Sequence, residues 1–274
     1  MNSTPRFSLF KNSAVIVASA LSALALSVQA APPPEATPIS WVNPKLPAGP
    51  GLTHYVLASK ALGHDVGYVV WKPAGFDAAR KYPVLYFLHG SGGTESADAA
   101  GFSGWVAKGI AQGLIPPVLV VFPNGGLSGY RGEVETMIID ELIPLIDRTQ
   151  PTLGTGATRL VAGFSMGGAG AARLSLRHPN VFAAAASMGG REVTDLESLA
   201  EKNVAELRQR NFALMVFNGD KDHAQDFAAL AKKLEAGGVP SPVVIHPNLD
   251  HNVGRYYELS CEPMLQFLGT HLAK

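Results

Sequence analysis

Ser165 stands between two glycines in Gly163-Phe164-Ser165-Met166-Gly167, directly after the run Arg159-Leu160-Val161-Ala162 and just before an Ala-rich stretch, Ala169 to Leu176. A serine hydroxyl is a weak nucleophile until a base takes its proton. A strand that breaks at Gly-x-Ser-x-Gly and resumes as a helix is the sequence form of a turn that holds such a hydroxyl out for attack on an acyl carbon. Gly163 and Gly167 have a steric reason to be there, because side chains two residues either way would collide with the neighbouring strand or helix. The same turn sets the Met166 amide at a helix N-terminus, aimed where negative charge develops in a tetrahedral intermediate. The chemistry implied is acyl transfer through Ser165, with Met166 as one of two oxyanion donors.

Such a serine needs a base, an acid that orients the base and a second oxyanion donor. Where this turn occurs, the partners follow in chain order Ser, Asp or Glu, His. His251 fits the base: it lies in Leu249-Asp250-His251-Asn252-Val253-Gly254, after the last expected strand and before the terminal helix. His89, in His89-Gly90-Ser91-Gly92-Gly93, reads as a support for its glycine loop, and the other six histidines read as satisfied or solvated. For the acid, the run Asn218-Gly219-Asp220-Lys221-Asp222-His223 closes an expected strand. Asp222, three residues past Gly219, is favoured over Asp220; Asp250 is disfavoured because its adjacency to His251 makes a straight bond to the imidazole awkward. The second donor is placed at Ser91, with Gly90 and Gly92 as near alternatives, since glycines there let backbone approach a substrate carbonyl. No cluster of metal-ligating residues is visible, so neither metal nor cofactor is expected. Cys261 sits in a helical pattern without an activating motif and is not expected to act as a nucleophile.

The elements that must hold these residues alternate. Apolar runs at Val66–Trp71, Val84–Leu88, Val118–Phe122, Leu160–Phe164, Phe182–Met188, Ala213–Phe217 and Val243–Ile245 read as strands, the later ones short and continuous as in a parallel sheet covered on both faces. Helical patterns lie around Trp105–Gln112, Val134–Ile146, Met166–Arg177, Thr194–Gln209, Ala224–Ala236 and Tyr256–Leu272. The expected architecture is a three-layer α/β/α sandwich around a mostly parallel sheet. In Val134–Ile146, the stripe Val134, Ile138, Leu142 and Leu145 faces the sheet, and Glu133, Asp140 and Glu141 form a solvated rim. Pro144, lacking an amide donor, is expected to kink or end that helix near Ile143. Residues 189–212 leave room for one helix, so little or no lid is expected over the site. Trp105, Tyr130, Tyr256 and Tyr257 lie where they either border the cleft or pack in the core, with packing the expected role.

Composition bounds the setting. Arg6 and Lys11 open the chain, Ala14 to Val28 is apolar, and Val28-Gln29-Ala30 suits signal peptidase, so residues 1–30 read as a signal peptide cleaved after Ala30. Residues 31–50 read as a Pro-rich spacer and 51–274 as one catalytic domain. The formal net charge is zero, and losing the leader's two cations leaves the mature chain slightly acidic, which suggests neither nucleic acid nor anionic lipid as partner. No later segment is long and apolar enough to insert stably in a membrane. With Cys261 the only cysteine, no internal disulfide can form, and the expected location is a bacterial periplasm or exterior.

The runs YPVLYFLHGSGG from Tyr82, VVFPNGG from Val120, ETMIIDELIP from Glu135, GFSMGG from Gly163 and DHNVG from Asp250 resemble the putative-esterase, or esterase D, family. That family includes feruloyl and acetyl-xylan esterases, S-formylglutathione hydrolase, enterochelin esterase and the mycolyltransferases. The resemblance covers the chain from about Gly51 onward. It implies an α/β-hydrolase fold with Ser165 as nucleophile, His251 as base, an aspartate in the Gly219–Asp222 turn, and the Met166 and Ser91 amides as oxyanion donors. The expected activity is an exported serine esterase acting on small-molecule or polymer-attached esters, of carbohydrate- or aryl-linked, feruloyl or acetyl type. Acyl transfer by the same triad and a catalytically silent binding scaffold are the alternatives.

Overall fold

Residues 39–45, 47–191, 195–223 and 225–272 are described by the computed structural model; the expected leader and the spacer as far as residue 38 lie outside them. Within the described residues the strands are β1 (Leu52–Ser59), β2 (His64–Trp71), β3 (Val84–Leu88), β4 (Leu119–Pro123), β5 (Arg159–Phe164), β6 (Ala184–Met188), β7 (Ala213–Gly219) and β8 (Val243–His246). They form one sheet in the order β1-β2-β4-β3-β5-β6-β7-β8. The pairs β1–β2 and β2–β4 are antiparallel; from β4 through β8 every pair is parallel. This is an α/β-hydrolase fold, in the three layers that the alternation of apolar runs and helical patterns implies.

The helices are α1 (Ala99–Ala111), α2 (Glu133–Thr136), α3 (Ile143–Thr149), α4 (Met166–Arg177), α5 (Leu196–Gln209), α6 (Ala228–Ala236) and α7 (Val253–Thr270). Because side chains alternate across a strand, each strand feeds two separate cores. Tyr86 and Leu88 of β3 and Val161 of β5 pack with α2 to α6, while Leu85 and Phe87 of β3 and Leu160 and Ala162 of β5 pack with α1 and α7. Strands β3 to β7 are buried along their whole length, as helices on both faces require.

Three local expectations change. β1 lies outside the sequence-derived strands, because as an edge strand it alternates partly buried and exposed positions instead of forming an apolar run. α1 begins at Ala99, six residues before the expected Trp105, since the small residues Ala99 and Gly101 hide the amphipathic pattern that Phe102 and Val106 carry into the core. Pro144 neither ends nor breaks its helix. A π-helical turn, Met137–Leu142, joins α2 to α3 with the Ile143 amide bonded back to the Ile138 carbonyl, and Pro144 falls in the first turn of α3. The wider turn takes up the missing donor and the ring that would clash in a regular helix.

Glu141 is not a solvated rim. Its Oε2 accepts from Ser59 Oγ at 2.6 Å, and its Oε1 from the Lys60 and Ala61 amides at 3.0 and 2.9 Å, so it ties the β1–β2 turn to the π-helical segment. Glu141→Ala leaves those donors without their carboxylate. A loss of about 1–3 kcal/mol in urea-unfolding free energy is expected, with the parallel sheet's secondary-structure signal retained.

Candidate active site

The C-terminal ends of β5, β7 and β8 lie on one edge of the sheet, where loops gather in a fold of this kind. At the end of β5 the chain turns into α4 through Ser165, whose φ of 56° and ψ of −118° lie outside the regions open to most residues. Neighbouring glycines make that bend possible. A Cβ on Gly167 would collide with the Leu88 carbonyl, and one on Gly163 would collide with the Gly167 carbonyl and lie 2.7 Å from the Leu88 oxygen. The bend is fixed by the Ser165 amide on the Met188 carbonyl at 2.8 Å. Met166 is the first residue of α4, so its amide has no partner within the helix.

His251 meets Ser165 from the loop between β8 and α7. Its Nε2 is 2.8 Å from Ser165 Oγ and its Nδ1 is 2.6 Å from Asp222 Oδ2, and its ring stacks on Phe164 with centroids 4.8 Å apart. The Asp222 side chain is 1% exposed, whereas Asp220 and Asp250 are exposed. Of the three aspartates weighed, Asp222 is the one brought to His251. The loops that carry Asp222 and His251 are bonded to each other: the Asp220 amide donates to the His246 carbonyl at 3.0 Å and the Lys221 amide to the Leu249 carbonyl at 3.2 Å.

Tyr256 and Arg191 are the residues that sequence reasoning missed here. Tyr256 Oη donates to Asp222 Oδ2 at 2.8 Å and accepts from the Gly219 amide at 2.9 Å, and an Arg191 guanidinium nitrogen sits 3.1 Å from Asp222 Oδ1. Tyr256 is packed in the core, as expected, but its hydroxyl faces the one carboxylate that matters; no spacing rule links a helix residue to a loop acid. Burial pushes the Asp222 carboxyl up. The hydrogen bonds from His251 and Tyr256, with the charges of His251 and Arg191, outweigh it and hold the group below its ordinary value, ionised at neutral pH.

The glycine loop after β3 closes the other side. His89 accepts the Gly125 amide on Nε2 at 2.9 Å, its Nδ1 is 2.8 Å from the Gly90 carbonyl, and Tyr130 Oη donates to the His89 carbonyl at 3.0 Å. Gly90 approaches so closely that an added Cβ would stand 3.4 Å from Ser165 Cβ, and Ser91 lines the same cleft as Ser165 and Met166. Cys261 lies on the buried face of α7, with its thiol pushed up by burial, and takes no part in this chain of contacts.

The cleft, of about 360 Å³, is also lined by Arg131, Arg173 and Arg191. Behind it Asp195 accepts Arg173 Nε on Oδ2 at 2.8 Å, and both Arg173 and Arg131 on Oδ1 at 2.9 and 3.1 Å. Those bonds, Arg173's foremost, hold the Asp195 carboxyl far below its usual range.

Residues 59–194 match the family described as Putative esterase, and residues 148–256 match the Dienelactone hydrolase family. An esterase of Mycobacterium tuberculosis strain H37Rv is 34% identical over 152 residues, covering 52% of this chain and 32% of that protein. An endo-1,4-beta-xylanase/feruloyl esterase of Xylanibacter ruminicola is 29% identical over 198 residues, covering 66% of this chain and 26% of that protein. The chain thus spans about a third or less of the length of these curated relatives. A solved ferulic acid esterase superposes with a TM-score of 0.68 at 24% identity, over 81% of this chain and 98% of that one, a likeness of fold.

Two outcomes test the site's physics. Tyr256→Phe removes one donor from Asp222 and the acceptor of the Gly219 amide; turnover of an activated ester is expected to fall about tenfold with KM little changed. For Asp195, the lowered folded pKa means that its ionised form stabilises the fold above the unfolded value of about 3.9, a contribution lost as pH falls through the lowered value. Asp195→Asn is therefore expected to melt below the wild type at neutral pH, with the gap closing in acid.

Proposed function

We propose, on the premise that this chain is an α/β-hydrolase resembling the putative-esterase family, that it is a carboxylic ester hydrolase working through an acyl-serine intermediate. The observation that carries the reading is the unbroken run from Ser165 Oγ to His251 to Asp222, at 2.8 and 2.6 Å, at the mouth of a cleft. In this reading His251 Nε2 takes the Ser165 proton while Oγ bonds to the ester carbonyl carbon. The tetrahedral oxyanion is held by the Met166 amide and by one from the Gly90–Ser91 loop. Collapse breaks the bond to the alkoxy oxygen, which leaves as alcohol with the proton from His251. Water then gives its proton to His251 and attacks the acyl carbon, releasing the acid and restoring the Ser165 hydroxyl. Asp222, ionised, holds Nδ1 protonated and offsets the imidazolium charge.

The finer reading is an exported enzyme whose esters are linked to carbohydrate or aryl groups. The basic start and apolar run of residues 6–28 support export to the periplasm or beyond. The words feruloyl esterase in the name of the Xylanibacter ruminicola relative support the substrate class. Among the described residues of 189–212 a single helix, α5, is present, which suits an open site and a bulky or polymer-attached substrate.

Incubation with a fluorophosphonate followed by peptide mass spectrometry is expected to place the label on Ser165. Ser165→Ala is expected to lose labelling and to lower kcat on para-nitrophenyl acetate by roughly 10⁴-fold or more. A variant that hydrolyses the ester at the wild-type rate would overturn the proposal.

A further inference from the structure

The oxyanion side of the site depends on the setting of one peptide plane. The Gly125 amide can only donate, so His89 Nε2 accepts it and the ring proton stays on Nδ1, which donates to the Gly90 carbonyl. The Gly93 amide donates to the same carbonyl at 3.0 Å. In a planar trans peptide the carbonyl and the following N–H point in opposite directions, so holding the Gly90 oxygen also fixes the direction of the Ser91 amide. His89 thus sets the near end of the glycine loop. The far end, Thr94-Glu95, must be held as well, because the glycines between leave the backbone free to turn.

Glu95 anchors that end. It is fully buried, and a carboxylate out of water is costly unless donors surround it. Its Oε1 accepts the Asn43 amide at 2.7 Å and His54 Nε2 at 2.8 Å, and its Oε2 accepts Asn124 Nδ2 at 2.7 Å. Asn43 takes a second grip, its Nδ2 donating to Thr94 Oγ1 at 2.8 Å. It belongs to a strap, residues 40–43, whose Ser40 and Trp41 carbonyls accept Asn124 Nδ2 at 2.8 and 3.1 Å. The Trp41 carbonyl also accepts the Gly67 amide at 2.7 Å, and the Asn124 amide donates to the Gly67 carbonyl at 3.1 Å. The residue after Asn124 is Gly125, the donor to His89. Both ends of the glycine loop therefore lead to one strap, the far end through Thr94 and Glu95 and the near end through Gly125 and Asn124. In the sequence these four residues fall in the Pro-rich spacer.

We infer that Glu95 and Asn43 are positioning residues of the oxyanion hole: the buried carboxylate, with the strap folded onto it, holds the glycine loop where the Ser91 amide meets the developing oxyanion. The catalytic unit then includes residues 40–43 and does not start at residue 51. The inference rests on the ester-hydrolase reading and adds to it residues that touch neither the ester nor the reacting atoms.

The test uses Glu95→Gln, which sets a carboxamide where every partner donates, and the milder Asn43→Ala, which removes the bond to Thr94 and decides alone should the first variant not fold. Active sites are counted by end-point fluorophosphonate labelling, and rates on para-nitrophenyl acetate are taken per labelled site. Asn43→Ala is expected to lower kcat/KM about threefold to tenfold, and Glu95→Gln more, up to the roughly 10²-fold of losing one oxyanion donor. The inhibition constant of an alkyl trifluoromethyl ketone, whose adduct with Ser165 carries the oxyanion, is expected to rise by the same factor in each variant. A merely structural role would reduce the count of labelled sites and leave both the rate per site and that constant at their wild-type values. That result overturns the inference alone, as does a loss of kcat/KM with ketone affinity unchanged. A wild-type chain that is neither labelled nor active on the ester overturns the ester-hydrolase reading and this inference with it.

Discussion

Three backbones meet almost without clearance at the end of β5, and the rest of the site depends on that contact. The first turn of α4 lies against the carbonyls of Leu88 and His89, so closely that Gly167 has no room for a side chain. This contact holds the bend at Ser165, an arrangement of φ and ψ that costs of order 1–3 kcal/mol and persists only where surrounding structure over-determines it. Burial of β3, β5 and β6 supplies that constraint: Ser165 cannot relax without detaching its amide from Met188 in the strand next door.

Electrostatics then work outward from two carboxylates. Asp222 is buried yet stays ionised because His251, Tyr256 and Arg191 together offset the cost of removing it from water. Asp195 does for the cleft wall what Asp222 does for the imidazole: it fixes Arg173 and Arg131 in position by hydrogen bonds.

Much of this was readable from residue order. Parallel strands covered on both faces must be apolar throughout, so β3 to β7 announce themselves as continuous runs, and the loops that follow β5, β7 and β8 carry Ser165, Asp222 and His251 to a common edge. What stayed hidden depends on partners far apart in the chain. β1 is half-exposed and alternates; the Pro144 turn is absorbed by a π-helical widening that no local pattern signals; Glu141 looks like surface until the β1–β2 turn is folded over it. Tyr256 and Arg191 were invisible as functional residues for the same reason, since both act on Asp222 across 34 and 31 positions.

The cross-links between the Gly219–Asp222 loop and the His246–Leu249 loop carry a mechanical implication. Asp222 and His251, with Tyr256 bonded to both Asp222 and Gly219, belong to one block built from the last third of the chain, while Ser165 belongs to the central block of β3, β5 and α4. The two blocks meet at the 2.8 Å gap between Nε2 and Oγ and where the His251 ring stacks on Phe164 at 4.8 Å. A shear of one block over the other would switch proton transfer off without disturbing the pairing of His251 with its acid.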